Sequence, residues 1–173
     1  MPRAPEAYFM KIPTTARLSR WISPLGPMLL AGHDAGLLGV WFDAQKHYPD
    51  IAGLPFAPHP STKEAQAQLA AYFAGEQTRF SMTLDFSSGT SFQQSVWEAL
   101  LAIPCGVTIS YSTLSQQIGK PAAVRAVAAA VGRNPLSIVV PCHRVLGSNG
   151  SLTGYAGGLD RKAALLNLEQ RKP

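Results

Sequence analysis

The sequence is poor in cysteine, poor in charge and without long apolar runs. Its 173 residues include two cysteines, and charged residues make up 14%. Residues 1–11 carry no export signal, so we expect Cys105 and Cys142 to be free thiols. Two cysteines and four histidines show no metal-ligand spacing, which predicts that no metal is bound. No run is long enough to cross a bilayer, and we therefore expect a soluble, cytoplasmic protein that contacts no membrane.

The composition that is present fits a folded protein with an anionic partner. Hydrophobic residues make up 46% of the chain, which suits a globular core and not a disordered segment. The net charge is +5. A basic chain favours a polyanion such as nucleic acid, although many basic proteins bind none.

The first half of the chain predicts an α/β domain. Apolar runs at 18–23, 28–32 and 37–42, separated by Pro/Gly and Asp/Gly turns, indicate a three-stranded antiparallel meander. Ser61, with Glu64 three residues later, predicts a capped helix that ends near Gly75, and residues 80–86 alternate like a strand. The polar run 87–90 is the best boundary, which divides the chain into domains 1–86 and 87–173.

The second half predicts a mainly α-helical domain. A helix is expected over 91–102, and a second one, capped by Thr113 with Gln116 in the capping box, runs to residue 118. A Gly-Lys-Pro turn follows, and its Pro121 suits the first position of a helix that continues through 122–131, which makes a helix-turn-helix pattern. Nearly every residue of this last helix is Ala or Val, with Arg125 as its long charged side chain. Two interpretations stay open: a buried packing helix, or a helix that lies against the DNA minor groove with Arg125 as a wedge.

The candidate nucleophile follows a short apolar run. Residues 136–140 predict a buried strand that ends at Pro141, Cys142 and His143. The imidazole offers a proton acceptor, and Arg144 is expected to lower the pKa of the Cys142 thiol. The alternative is an inert buried cysteine. Cys105 has no charged neighbour in the sequence and is interpreted as structural.

The C-terminal residues suggest a loop and one more helix. The glycine-rich stretch 154–158 is either a loop that closes over a small planar group or a plain connector. A helix is expected over 159–170, where Leu165, Leu168 and Glu169 share a face. Glu169 is therefore either turned inward, where it would polarise His143, or a solvated acid.

Taken together, the motif at 138–145, Ile-Val-Val-Pro-Cys-His-Arg-Val, with Arg-Ala-Val at 125–127 and Asn-Pro at 134–135, resembles one family, the O6-alkylguanine-DNA alkyltransferases. The resemblance extends over about 92–169 and, more weakly, over the N-terminal part. It implies a ribonuclease-H-like N-terminal domain. It also implies stoichiometric, irreversible transfer of an alkyl group from O6-alkylguanine, and from O4-alkylthymine, in duplex DNA to Cys142, with no cofactor.

The resemblance also implies roles for particular residues. His143 would act through a water as the base for Cys142, with Glu169 oriented towards it. Asn134 would tie the helix-turn-helix to the active-site segment. Four residues would bind DNA: Arg125, Ala126, Lys120 and Tyr111, of which Tyr111 would also help to flip the nucleotide and would protonate the leaving guanine. The flipped base would be surrounded by Tyr155, Ala156, Gly157, Val145 and Ser137. The partner would be double-stranded alkylated DNA, bound through the minor groove by a monomer that binds cooperatively.

Several positions depart from the family pattern. Ala128 and Val131 are larger or more branched than the residues many members carry, and both are expected near the DNA face. Ser137 stands where some members have Pro, which bears on the size of the alkyl group. The N-terminal half has no cysteine, which argues for a stand-alone repair protein and against a bifunctional regulator.

Two other functions compete with this one. A non-catalytic alkyltransferase-like protein would bind the lesion without reacting, but such proteins replace the cysteine that is present here at 142. A cysteine hydrolase would need oxyanion donors and repeated turnover. Transfer of one alkyl group per molecule would exclude the hydrolase.

Overall fold

A three-stranded antiparallel sheet forms the centre of the N-terminal part. The computed structural model describes residues 10–171. The strands are β1 (Arg17–Ser23), β2 (Gly26–His33) and β3 (Gly36–Phe42), in the order β1-β2-β3. The turns into β2 and β3 use Gly26 and Gly36, both at positive φ, a conformation that glycine adopts without steric cost. The predicted meander is confirmed.

The remaining elements are mostly helical, and no helix in the described range 10–171 is long and apolar enough to span a bilayer. In chain order they are α1 (Pro60–Phe73), α2 (Ser91–Leu100), β4 (Ile109–Ser110), α3 (Tyr111–Gln117), α4 (Val124–Gly132), a 3-10 turn (Cys142–Arg144), β5 (Val145–Leu146) and α5 (Leu159–Gln170). Strands β4 and β5 pair in parallel. The α3–turn–α4 unit is the predicted helix-turn-helix.

Three predicted helix starts are wrong for local reasons. Helix α1 is capped by His59, whose ring nitrogen accepts from the Ser61 amide, so Ser61 already lies inside the helix. Helix α3 is capped by Ser110, whose hydroxyl accepts from the Thr113 amide, and Thr113 is therefore not the cap. Helix α4 begins at Val124, because residues 121–123 form a turn instead of its first residues.

The edge of β3 that does not pair with β2 joins the two halves of the molecule. Leu37 exchanges two backbone hydrogen bonds with the segment 83–85, and Val40 exchanges two with the segment 135–137, at 2.8 and 3.0 Å. The predicted strands at 80–86 and 136–140 are therefore wrong. Each segment forms isolated bridges and no continuous ladder. In the second segment Ile138 has φ of 73°, which interrupts an extended strand.

One large core spans both halves. It takes Leu30, Val40 and Tyr72 from the N-terminal part and Trp97 and Val140 from the C-terminal part. A second, smaller cluster lies on the other face of the sheet around Leu29 and Trp41. Strand β3 is buried along its whole length because both clusters pack against it. The segment that carries Cys142 therefore rests on a rigid sheet edge.

Candidate active site

Asn134 fixes the segment between α4 and Cys142. Its amide Nδ2 donates to the Val140 carbonyl at 2.8 Å and to the Leu136 carbonyl at 3.4 Å. Its Oδ1 accepts from the Leu136 amide at 2.9 Å. These three hydrogen bonds from a buried side chain hold the segment in one conformation, although the segment lacks the regular backbone pairing of a strand.

The Cys142 thiol lies just beneath the surface. The residue is 6% exposed and begins the 3-10 turn. Burial raises the pKa of the thiol, while a hydrogen bond from Asn134 and the charge of Lys162 lower it by less. The expected lowering by Arg144 is wrong, because that guanidinium is directed to Glu169. The free protein therefore holds a neutral thiol that needs a proton acceptor to become nucleophilic.

His143 and Arg144 both bind the carboxylate of Glu169. His143 Nε2 lies 2.7 Å from Glu169 Oε1, and Arg144 donates from Nη2 to the same oxygen at 2.8 Å and from Nε to Oε2 at 3.0 Å. The three residues are buried. Burial raises the pKa of the Glu169 carboxyl, but its contacts with His143 and Arg144 outweigh this and leave the pKa well below its usual range. Glu169 is thus turned inward, the first of the two sequence-based alternatives.

The hydrogen bond to Glu169 defines the protonation of the His143 ring. Burial lowers the pKa of His143, with Glu169 opposing this in part, so the imidazole is neutral near pH 7. A carboxylate only accepts, and Nε2 therefore carries the proton and Nδ1 has a free lone pair. Nδ1 is buried and has no hydrogen-bond partner among the described residues. His143 Nδ1 is therefore a proton acceptor on the residue that directly follows Cys142.

Lys162 is a buried cation that the sequence analysis missed. Its ammonium donates to the carbonyls of Val145, Thr153 and Gly154 at 2.7–3.2 Å. It also lies 5.9 Å from the centre of the Tyr111 ring. Lys162 therefore links β5, the strand that follows the 3-10 turn, to the glycine-rich loop. Lys162 precedes Leu165 by three residues and therefore shares the inward face of α5; this spacing could have predicted that Lys162 is buried.

The expected base-pocket residues come from three places: the segment before Cys142 (Ser137), strand β5 (Val145) and the glycine-rich loop (Tyr155, Ala156 and Gly157). Ser137 and Val145 are buried, and the Tyr155 hydroxyl is buried without a hydrogen-bond partner among residues 10–171. Burial raises the pKa of Tyr155 well above its ordinary value. The Ala156 carbonyl accepts from the Lys46 amide at 3.0 Å. A Cβ at Gly157 would lie 2.8 Å from the Phe42 ring, so the loop packs against β3 only with glycine there.

Tyr111 stands at the start of α3, over the same loop. Its hydroxyl donates to the Thr153 carbonyl at 3.1 Å. Burial raises the pKa of this hydroxyl, and the nearby Cys142 raises it further. Tyr111 is therefore a neutral phenol with a proton to donate.

The expected DNA-binding residues lie on the outside of the helix-turn-helix. Lys120, Arg125 and Ala126 are exposed, and Ala128 is half-buried. Val131 is 4% exposed and belongs to the core, so its placement near the DNA face was wrong. The β-branched side chain of Val131 fills the interior.

Cys105 lies in a different setting. It is half-buried in the turn after α2 and lines a cleft of about 590 Å³ that also borders Arg79, Arg144 and Glu169. The amide of the adjacent residue, Gly106, lies 3.5 Å from Glu169 Oε2. Among residues 10–171 no group of three or more His, Cys, Asp or Glu is arranged to hold a metal ion.

Two family models match the chain. Residues 21–86 match the ribonuclease-like domain of 6-O-methylguanine DNA methyltransferase, and residues 91–171 match the DNA-binding domain of the same protein. The fold expectation, a ribonuclease-like α/β domain followed by a helical DNA-binding domain, is thereby confirmed.

Individual relatives agree with these matches. The chain is 50% identical to the methylated-DNA–protein-cysteine methyltransferase of Mycobacterium leprae over 87% of its own length and 90% of that protein. It is also 50% identical to the protein of that name from Methanosarcina acetivorans, over 85% and 94%. The crystal structure of Mycobacterium tuberculosis OGT in complex with DNA superposes with a TM-score of 0.83 at 48% identity, covering 91% of this chain and 93% of that one.

Proposed function

The chain belongs to the 6-O-methylguanine DNA methyltransferase family, and from that premise we propose that it repairs DNA by moving the alkyl group of O6-alkylguanine onto Cys142. The observation that carries the assignment of Cys142 is the neighbouring His143, whose Nε2–H is held by Glu169 while its Nδ1 has no hydrogen-bond partner within residues 10–171. A neutral thiol followed in the chain by an imidazole with a free nitrogen has a nucleophile and a candidate base on adjacent residues.

The reaction balances with the groups at hand. The thiol proton passes to His143 Nδ1, through a bridging water, and the thiolate attacks the alkyl carbon. A C–S bond forms, the C–O6 bond breaks, and its electron pair leaves on guanine. Tyr111 supplies the proton that the leaving base takes up, and His143 returns a proton to the phenolate by way of water. The thioether product resists hydrolysis, and the protein therefore acts once.

Buried charged and polar groups favour the thiolate form of Cys142 and the imidazolium form of His143. The Lys162 ammonium favours the thiolate form of Cys142, and the hydrogen bond from Asn134 acts in the same direction. Glu169 stabilises the imidazolium that forms at His143. Each of these groups is already held in position by the contacts described above, so little reorganisation accompanies proton transfer.

DNA binding is assigned to the exposed face of the helix-turn-helix. The small side chain of Ala126 lets α4 approach the minor groove, while Arg125 enters the stack in place of the flipped nucleotide and Lys120 contacts a phosphate. Flipping is required because the alkyl carbon lies inside the duplex. We propose a monomer in free solution that binds cooperatively on DNA, in the cytoplasm and away from membranes.

Transfer is tested with a duplex that carries one O6-methylguanine. Guanine restored per protein molecule is counted, with an unmodified duplex and Cys142→Ala as controls. We expect a plateau at one guanine per protein and none with the variant. Lesion binding without restored guanine would instead support the non-catalytic binder, and repeated turnover on an ester would support the hydrolase. A duplex with O4-methylthymine tests the second substrate in the same assay.

A further inference from the structure

Tyr72 connects the N-terminal domain to the reactive centre. It lies in α1, is fully buried, and donates from its hydroxyl to Glu169 Oε1 at 2.8 Å. The two residues are separated by 97 positions in the chain. The phenol ring is held by its neighbours Phe73 and Phe80, at centroid distances of 5.4 and 5.5 Å. The hydroxyl therefore has a fixed position.

The oxygen that accepts from Tyr72 is the one that holds His143. Glu169 Oε1 receives His143 Nε2 at 2.7 Å, Arg144 Nη2 at 2.8 Å and the Tyr72 hydroxyl at 2.8 Å. The other oxygen, Oε2, receives Arg144 Nε at 3.0 Å and lies 3.5 Å from the Gly106 amide. Arg144 anchors the plane of the carboxylate, and Tyr72 adds a donor from outside the reactive turn.

The phenol is well suited to a permanent donor. Burial raises the pKa of Tyr72, and the charge of Glu169 raises it further, so the hydroxyl keeps its proton throughout the working pH range. A donor that cannot ionise gives a constant orientation to the acceptor. Donors to buried charged groups are also among the stronger hydrogen bonds in proteins.

We propose that Tyr72 is a positioning residue for alkyl transfer: its hydroxyl holds Glu169 Oε1 where His143 needs it when the imidazole takes the proton of Cys142. The N-terminal domain is then a working part of the reactive centre, beyond its packing role. This inference rests on the proposed function of Cys142.

Several charged and titratable groups face this carboxylate and its histidine. Tyr72 reaches Glu169 from α1, and Arg144 reaches it from the 3-10 turn. The charges of Arg144 and Lys162 both lower the pKa of His143. Cys105 interacts electrostatically with Tyr72 from the turn after α2. Since the other groups stay in place when Tyr72 is changed, a changed pH profile reports on the hydroxyl.

The first test compares Tyr72→Phe with Tyr48→Phe, a half-buried tyrosine that packs against the second core cluster. Single-turnover transfer from O6-methylguanine duplex is measured between pH 5.5 and 9.5, as ordinary assay conditions, together with duplex affinity. We expect Tyr72→Phe to slow transfer about tenfold, the loss of one hydrogen bond to a charged group, with unchanged affinity. The midpoint of its pH–rate profile should move to lower pH, since a less firmly held Glu169 stabilises the imidazolium less and lowers the pKa of His143.

Tyr48→Phe should match the unsubstituted protein in all three quantities. A Tyr72→Phe protein that transfers at the normal rate and with the normal profile would overturn the proposal. So would a profile that moves to higher pH with faster transfer, because the hydroxyl would then weaken the carboxylate instead of positioning it.

A double-mutant cycle separates a role through Glu169 from a general packing role. In a Glu169→Gln background, Tyr72→Phe should cause no further loss of rate, whereas an additive loss would contradict the proposal. If the variant does not fold, NMR of the unsubstituted protein decides: a slowly exchanging Tyr72 hydroxyl proton is expected, and its absence would overturn the inference. Loss of transfer in Cys142→Ala is the separate test of the underlying function.

Discussion

The two cysteines differ in exposure, but exposure alone does not indicate which of them is the proposed alkyl acceptor. Cys105 is half-buried beside an open cleft, whereas Cys142 is 6% exposed and lies on a turn fixed by Asn134. The more accessible thiol is not the proposed acceptor. What marks Cys142 is its surroundings: a free imidazole nitrogen on the next residue and a buried cation, Lys162, that favours the thiolate.

The two thiols differ in the proton acceptor that accompanies them, and we expect this difference to direct reactivity more than exposure does. Glu169 is common to both regions, because it borders the cleft of Cys105 and also binds His143. The carboxylate of Glu169 is oriented towards the region of Cys142. Both of its oxygens accept hydrogen bonds from the two residues that follow Cys142, whereas its contact with the turn of Cys105, from the Gly106 amide, is longer.

Removing each thiol in turn should have the largest effect. Cys142→Ala is expected to abolish alkyl transfer, because the variant lacks the thiol that precedes His143, while Cys105→Ala should transfer within about twofold of the normal rate. Restored guanine is measured by chromatography of the digested duplex, and folding of both variants is checked by thermal melting. Transfer that persists in Cys142→Ala but is lost in Cys105→Ala would reverse the comparison.

Changing the shared carboxylate should reduce stability strongly. Glu169→Gln leaves Arg144 buried without its counter-charge, and we expect a loss of about 3 kcal/mol in the free energy of unfolding. Urea denaturation measures this, with Glu98→Gln on α2 as an exposed control. A loss below about 1 kcal/mol would show that the ion pair is dispensable.

The same variant should change the acid sensitivity of the fold. Because the pKa of Glu169 is lowered in the folded protein, its contribution is complete above the unfolded value of about 4.3 and is lost as the pH falls towards the folded pKa. Stability of the unsubstituted protein should therefore fall more steeply below about pH 4 than that of Glu169→Gln. Parallel curves would contradict the assigned charge state.

The two thiols should respond differently to a small alkylating reagent. At pH 7 iodoacetamide is expected to modify Cys105 first, since Cys142 is more buried and the pKa of its thiol is raised by that burial. Modification of Cys142 should rise about tenfold per pH unit below its pKa. Site-resolved mass spectrometry follows both. Faster modification of Cys142 at pH 7 would mean that its thiolate forms in the free protein.

Delivery of the lesion to Cys142 should depend more modestly on α4. Arg125→Ala is expected to weaken duplex binding about tenfold and to reduce the salt dependence of binding by about one charge. Lys63→Ala, an exposed cation on α1, is the matched control and should bind normally. Equal affinity of Arg125→Ala and the unsubstituted protein would show that α4 is not the recognition helix.

The sequence predicted well what local patterns determine. The meander, the helix-turn-helix and α5 follow from turn residues and from apolar spacing, and the motif at 138–145 led to Cys142. The errors have physical reasons. His59 and Ser110 replaced the expected caps because each lies where its side chain reaches the first free amides, and a strand over 136–140 is prevented by positive φ at Ile138.

Contacts between distant residues were beyond the sequence. Tyr72 reads as part of the apolar stripe of α1, and nothing in its neighbourhood shows that its hydroxyl meets Glu169, 97 residues away. Lys162 likewise reads as a surface cation of α5, although it is buried against three carbonyls. The boundary between residues 86 and 87 stays a prediction, as do the catalytic roles of the site residues.

We propose that Cys142, and not Cys105, accepts the alkyl group. Trypsin separates the two thiols, since Cys142 falls in the peptide 134–144 and Cys105 in the peptide 80–125. The protein is mixed with O6-methylguanine duplex, digested and analysed by mass spectrometry. We predict one methyl group per molecule, carried on Cys142 in the peptide 134–144. A methyl group on the peptide 80–125, or none on either, would contradict the account.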